Sequence, residues 1–92
     1  MLFEHLPGGD LVAAGLEDLA HGRETVEALL VAVGAPRLRN AGIDVPPHGI
    51  EAPEHRLYQQ LEIADEASAH GRYNALIRRL VSFERALGCV EP

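Results

Sequence analysis

Apolar positions along the chain recur at helical spacing. Near the N-terminus, Val12, Leu16 and Leu19 are four and three residues apart, which places them on one face of a helix. β-branched residues do not alternate with polar residues over any useful length, so the pattern does not favour strands. We expect Asp10 to cap this first helix by accepting from its first amides, and Gly22 to end it in the left-handed conformation.

A second helix is expected to begin at Thr25, whose side chain can cap it, and to run over residues 26–33. Its sequence is apolar on nearly all sides, which predicts burial at the centre of the protein. Gly34 and Pro36 predict a break. A short third helix would then cover residues 36–41.

The C-terminal half begins with an extended connector, predicted by three prolines and one glycine within residues 43–53. A fourth helix is expected from Pro53 and a fifth after Gly71. Alternatively, Gly71 lies inside one long helix, where glycine destabilises the helix by only about 1 kcal/mol relative to alanine. The tetrapeptide Ala-His-Gly-Arg occurs at 20–23 and again at 69–72, which predicts the same helix-ending joint at both places. The fifth helix has a wide apolar face, formed by Tyr73, Leu76, Ile77, Leu80, Val81, Phe83 and Leu87.

These elements predict an all-α protein, a small bundle of four or five helices. The 92 residues are expected to form one domain. Within it, residues 1–42 would form an N-terminal helical half, residues 43–53 the Pro-rich connector and residues 54–88 a C-terminal helical hairpin. A domain this small buries only about 60% of the surface of its unfolded chain, so a partner chain would add useful stability.

Composition and charge exclude several classes of protein. The 14 acidic and 8 basic side chains give a net charge of -6, which opposes strong nonspecific binding to nucleic acid or to anionic lipid. One cysteine, Cys89, rules out an internal disulfide and a multi-Cys zinc site. A hydrophobic fraction of 47% is too high for a disordered acidic tail.

The sequence contains neither a recognisable signal peptide nor a stretch that is long and apolar enough to span a membrane, and both observations bear on localisation. The N-terminus lacks a basic region, so it does not resemble a signal peptide. The longest nearly apolar stretch, residues 28–36, is about half of the ~18 residues that a membrane span needs. All 8 basic residues are arginine, which indicates GC-rich coding. We therefore expect a bacterial cytoplasmic protein that makes no contact with a membrane.

Few residues suit catalysis by a nucleophile. Cys89 lies near the C-terminal end, where a positioned histidine is hard to provide. Ser68 and Ser82 lie within helical patterns, without the Gly-x-Ser-x-Gly turn that exposes a nucleophilic serine. We therefore expect a protein that is not an enzyme and holds no cofactor.

A metal site is the least favoured alternative, and it would make the protein a small metal-dependent enzyme. Asp18 precedes His21 by three residues and Glu66 precedes His70 by four, so each pair shares a helical face. A di-iron bundle, however, needs Glu-x-x-His on two helices and a glutamate on two more. Both histidines also fall near predicted helix C-termini, where an imidazolium is stabilised without a metal.

A helix-turn-helix DNA-binding regulator is the stronger alternative. Residues 25–43 have its outline, with a buried helix, a turn at Gly34 and a second helix whose candidate DNA contacts are Arg37, Arg39 and Asn40. The second helix is short for a recognition helix, and the net charge has the wrong sign, so nucleic-acid binding is disfavoured.

The favoured hypothesis is a non-enzymatic protein-interaction or regulatory module that acts as a homodimer, with a further protein partner as an open option. The fifth helix offers two apolar rows, of which one can pack inside the monomer and the other against a second copy. Acids concentrate in residues 51–66 and arginines in residues 72–85. These acidic and basic side chains can face each other between the fourth and fifth helices, or they can recognise a partner. The predicted interaction surface comprises Arg72, Tyr73, Asn74, Leu76, Ile77, Arg78, Arg79, Leu80 and Phe83.

Overall fold

A computed structural model of the protein describes residues 5–90, with side chains as far as Gly88. Both ends of the predicted domain and the side chain of Cys89 lie outside this description. The described residues form four α-helices and one short 3-10 helix, and no strand occurs among them. The elements are α1 (Gly9–Ala20), α2 (Val26–Asn40), α3 (Pro53–Ala64), the 3-10 helix (Glu66–Ser68) and α4 (Ala69–Val90). The prediction of an all-helical protein is confirmed.

The predicted break at Gly34 and Pro36 is wrong, because α2 continues through both residues to Asn40. A proline inside a helix removes one hydrogen bond and costs about 3 kcal/mol. Continuing the helix buries Leu38 completely in the core, which is worth about 1.5–3 kcal/mol for that side chain alone. Ala35 is buried in the same stretch, so tertiary packing offsets the local penalty.

The predicted helix start after Gly71 is also wrong, since Gly71 lies in the first turn of α4 and does not have a positive φ. The chain breaks earlier, at Asp65, which has an extended backbone with φ -164°. The Asp65 carboxylate accepts a hydrogen bond from the Ala67 amide at 3.2 Å. Gly22, by contrast, has φ 71° and follows α1, so the two Ala-His-Gly-Arg segments form different structures.

The ends of α1 and α2 match the sequence in part. Thr25 caps α2 as predicted, because its Oγ1 accepts a hydrogen bond from the Ala28 amide at 3.1 Å. Asp10 does not cap α1, which begins after Gly8 at φ 75° and has no side-chain cap. A Cβ atom on Gly8 would stand 2.6 Å from the carbonyl oxygen of Arg79, so glycine is required there for contact between α1 and α4.

One hydrophobic cluster joins all four α-helices, and α2 lies at its centre as the sequence predicted. The connector belongs to the same core through Val45, which is buried, and Ile50, which packs against the cluster. No helix in the described part of the chain is both long and apolar enough to cross a membrane. The larger buried side chains are Val12, Leu16, Leu19, Leu29, Leu30, Val31, Leu38, Leu57, Leu61, Leu80, Phe83 and Leu87.

Candidate interaction surface

A groove of about 630 Å³ opens where α1, the start of α2, α3 and the first half of α4 meet. We call it the α1–α4 groove. Apolar side chains come from α1, α2 and α4, and charged side chains come from α4, from the segment that leads into α2 and from the first turn of α2. Its lining comprises Leu11, Glu24, Thr25, Val26, Glu27, Gln60, Arg72, Ala75, Leu76 and Arg79.

A hydrogen-bond network centred on Asp18 fixes the corner between α1 and α2, next to the groove. The Thr25 hydroxyl donates to Asp18 Oδ2 at 2.6 Å, and Arg23 donates to Asp18 Oδ1 from Nε at 3.0 Å. The hydroxyl of Thr25, followed by the guanidinium of Arg23, lowers the pKa of the Asp18 carboxyl below its ordinary value. Asp18 therefore acts as an anchor that holds the first turn of α2 in position.

The charged rim of the groove is only partly neutralised. Arg79 donates to Asp10 at 3.0 Å, and Arg56 forms an ion pair with Glu24. Gln60 Nε2 donates to the main-chain oxygen of Glu24 at 2.6 Å, which links α3 to the corner before α2. Arg72 is exposed and forms no ion pair or hydrogen bond with any residue that the structure describes. It is the cation at this rim that a bound anion would meet.

Three residues of the predicted interaction surface line the groove, namely Arg72, Leu76 and Arg79. Arg78 is exposed outside it. The half-buried Ile77 packs against the core, so it offers only part of its side chain to a partner.

Tyr73 and Asn74 take part in a cluster where α3 meets α4. The rings of Tyr58 and Tyr73 have centroids 5.5 Å apart, and the Asn74 side-chain amide lies 3.2 Å from His70 Nε2. Burial, followed by the charge of Glu54, raises the pKa of the Tyr73 hydroxyl. Tyr73 therefore has a structural role at the junction of α3 and α4, whereas Asn74 contacts a residue of its own helix.

Leu80 and Phe83 were predicted to lie on the interaction surface, and the structure corrects this, because they are 2% and 0% exposed. Both belong to the core cluster. The apolar face of α4 is wide, and helical periodicity alone does not identify which part turns inward. The row that includes Leu80 and Phe83 is therefore the one that packs inside the monomer.

The candidate DNA contacts lie in the last turns of one continuous helix, so residues 25–43 do not form a helix-turn-helix. Arg37 lies 3.7 Å from Glu84 Oε1, and Arg39 donates to the Val45 carbonyl at 3.2 Å. Asn40 is exposed. Arg39 thus ties the connector to the end of α2.

The residues that the metal-site hypothesis named as ligands on the α1 side, Asp18 and His21, make other contacts. His21 Nδ1 lies 2.8 Å from the main-chain oxygen of Glu17, and Asp18 binds Thr25 and Arg23. No group of three or more His, Cys, Asp or Glu side chains suited to a metal occurs within the described residues. His70 and Glu66 therefore do not assemble into such a group with Asp18 and His21.

The predicted facing of acidic and basic rows between the last two helices is not found. Among residues 5–88, none of the ion pairs joins α3 to α4: they are Arg23–Asp18, Arg37–Glu84, Arg56–Glu24 and Arg79–Asp10. Glu62 and Glu66 near the end of α3, and Arg72 on α4, thus form no ion pair with residues 5–88 and are exposed to other molecules.

Sequence reasoning missed Ile63, which is 86% exposed and is the one large hydrophobic residue exposed in the described part of the chain. It lines a shallow depression of about 540 Å³ with Gln59, Glu62 and Glu66, which we call the Ile63 patch. The signal was present, because Ile63 falls off the buried stripe of Leu57 and Leu61. A single exposed isoleucine is ordinary on a protein surface, so the interest of Ile63 lies in the two carboxylates, Glu62 and Glu66, that line the same depression.

Comparison with known proteins finds no matching family model, curated protein or solved structure. The function is therefore argued from the groove and the Ile63 patch themselves.

Proposed function

We propose that this protein is a non-enzymatic interaction module that acts as a homodimer in the bacterial cytoplasm, and that the α1–α4 groove is its docking surface. The observation that carries this proposal is Arg72, which has no ion pair or hydrogen bond with residues 5–88, beside the apolar Ala75 and Leu76. A surface of this kind suits a protein segment that presents an apolar side chain together with acids.

Charge complementarity favours a second copy of the chain as the occupant. Exposed acids concentrate along α3 and its two ends, whereas the arginines beside the groove belong to α4. The acidic set comprises Glu51, Glu54, Glu62, Asp65 and Glu66. A molecule that carries both halves of a complementary surface can pair with itself about a twofold axis.

The chemistry of the lining supports binding over catalysis. Thr25 is the only hydroxyl residue among the lining side chains. Its Oγ1 already donates to Asp18 and accepts from the Ala28 amide, so it is committed to structure. The lining holds no histidine, and of its two carboxylates Glu24 is already paired with Arg56.

The test uses a substitution that blocks the groove without disturbing the core. Ala75 is exposed and lines the groove, so Ala75→Glu places a longer charged side chain in it. Ser82→Glu is the matched control, since Ser82 is an exposed residue of the same helix outside the groove. Sedimentation equilibrium should give a dimer for the wild type and Ser82→Glu, and a dissociation constant raised by about tenfold or more for Ala75→Glu.

Equal dissociation constants for the two variants would contradict the assignment of the groove. A wild-type protein that stays monomeric across the concentration range would contradict the homodimer. Circular dichroism of both variants checks that the helices are retained.

A further inference from the structure

We propose that Ile63 of each copy enters the α1–α4 groove of the other, so that the homodimer is closed by two identical insertions. This inference rests on the proposed function and goes beyond it by naming the segment of the second copy that occupies the groove.

The first argument is the exposure of Ile63. A side chain that is 86% exposed loses contact with water when it enters a groove lined by Leu11, Ala75 and Leu76. The other large hydrophobic residues in the described part of the chain are buried or half-buried. Ile63 is thus the apolar group with most to gain from a partner.

The second argument is charge. Glu62 and Glu66 lie beside Ile63 in the Ile63 patch, and both are exposed. Arg72 and Arg79 lie beside the apolar part of the groove. Glu24 and Glu27 line the groove at the start of α2, and Arg79 already pairs with Asp10. Only an insertion that turns the two carboxylates of the patch toward α4 meets Arg72 and Arg79, so the charges fix the orientation of the inserted segment.

The third argument is placement on α3. Gln60 lines the groove, and Ile63 follows it by three residues, so the two side chains lie on the same side of the helix. The donor patch and the receiving groove are therefore neighbours on one side of the molecule. A twofold axis that passes between them would satisfy both insertions at once, as an isologous interface requires.

The first experiment changes the inserted side chain alone. Ile63→Gln keeps a helix-forming residue of similar length but makes the tip polar, whereas Ile63→Leu keeps it apolar. The dimer dissociation constant should rise by about 10- to 100-fold in Ile63→Gln and change little in Ile63→Leu. Because Ile63 is exposed in the monomer, both variants should retain the wild-type helical circular dichroism.

The second experiment swaps the charges. Glu62→Arg with Glu66→Arg sets like charges against the groove of an identical copy, and Arg72→Glu does the same from the other side. Each variant should form a homodimer about tenfold weaker than the wild type. An equimolar mixture should form a heterodimer tighter than either homodimer, measured by native mass spectrometry with one variant isotopically labelled.

The outcomes of these experiments distinguish the insertion of Ile63 from the more general proposal that the protein dimerises through the groove. Dimerisation lost in Ala75→Glu but unchanged in Ile63→Gln would keep the groove as the docking surface and overturn the assignment of Ile63. Dimerisation unchanged in both variants, or a monomeric wild type, would overturn the two together. A mixture of the charge variants without a preferred heterodimer would also overturn the reciprocal insertion.

Discussion

Gly15 packs against the main chain of Glu27. A Cβ atom at Gly15 would stand 2.3 Å from the carbonyl oxygen of Glu27 and 2.4 Å from Cγ2 of Val31, so the two helices meet with no room for a methyl group. This close approach positions the first turn of α2, which borders the α1–α4 groove. The shape of the groove therefore depends on a glycine that does not line it.

We expect Gly15→Ala to destabilise the protein by about 1–3 kcal/mol, because the added methyl group must push α1 away from α2. Urea unfolding followed by circular dichroism measures the change. The helix propensity of alanine would by itself raise stability, so a variant as stable as the wild type would contradict the close approach.

Gly71→Ala should have the opposite effect. Apart from the neighbouring residues and the backbone of its own helix, no described heavy atom lies within 4 Å of a Cβ atom at Gly71, and the residue has a helical position in the first turn of α4. Alanine should raise the free energy of unfolding by up to about 1 kcal/mol. A loss of stability would instead indicate the left-handed joint that the sequence predicted there.

Thr25→Ala should lower the free energy of unfolding by about 1 kcal/mol, because the Ala28 amide loses its capping acceptor. Thr25→Ser is the matched control, since serine keeps the hydroxyl that binds both the amide and Asp18. Thermal unfolding of the two variants should separate them, with Thr25→Ser close to the wild type.

The Asp18 network should make stability fall in acid. Because the pKa of Asp18 is lowered in the folded state, its contribution is present above the ordinary aspartate pKa and is lost as pH falls through the lowered value. The difference in unfolding free energy between wild type and Asp18→Asn should therefore shrink below about pH 4. A difference that stays constant from neutral to acidic pH would contradict the network.

Glu84 should have the reverse pH dependence. Its Oε2 is buried without a hydrogen-bond partner among the described residues, and burial, opposed by Arg37, raises its pKa. Stability is then lost as pH rises from the ordinary glutamate pKa through the raised value. Between about pH 4 and pH 7, the stability of Glu84→Gln relative to wild type should increase, as measured by urea unfolding. Arg37→Ala should enlarge the wild-type pH effect.

Local signals predicted the features that depend on neighbouring residues. Thr25 caps α2 because a hydroxyl can reach the third amide beyond it, and Gly22 adopts positive φ because it lacks a Cβ atom. The helix-breaking signal of Pro36 gave a wrong prediction, because the burial of Leu38 together with Ala35 offsets the cost of a proline inside the helix. At the next joint, Asp65 was the informative residue and Gly71 was not.

The candidate site was harder to predict because its lining depends on which faces of the four helices pack against one another. Three of the groove residues on α4, Arg72, Leu76 and Arg79, were expected at a surface. Periodicity did not identify Leu80 as buried, since the apolar face of α4 is wider than the strip that contacts the core. The place of Gln60 in the groove could not be predicted, because it depends on how α3 packs against the residues just before α2.

The central position of α2 also determines how the protein opens. Since α2 packs against α1, α3 and α4, none of these contacts can be lost without exposing part of its apolar surface. The amide hydrogens of α2 should consequently exchange with solvent only when the whole molecule unfolds, while those of the connector exchange through smaller fluctuations. Because one hydrophobic cluster includes residues from both sides of the prolines, the two halves should unfold together as one cooperative unit.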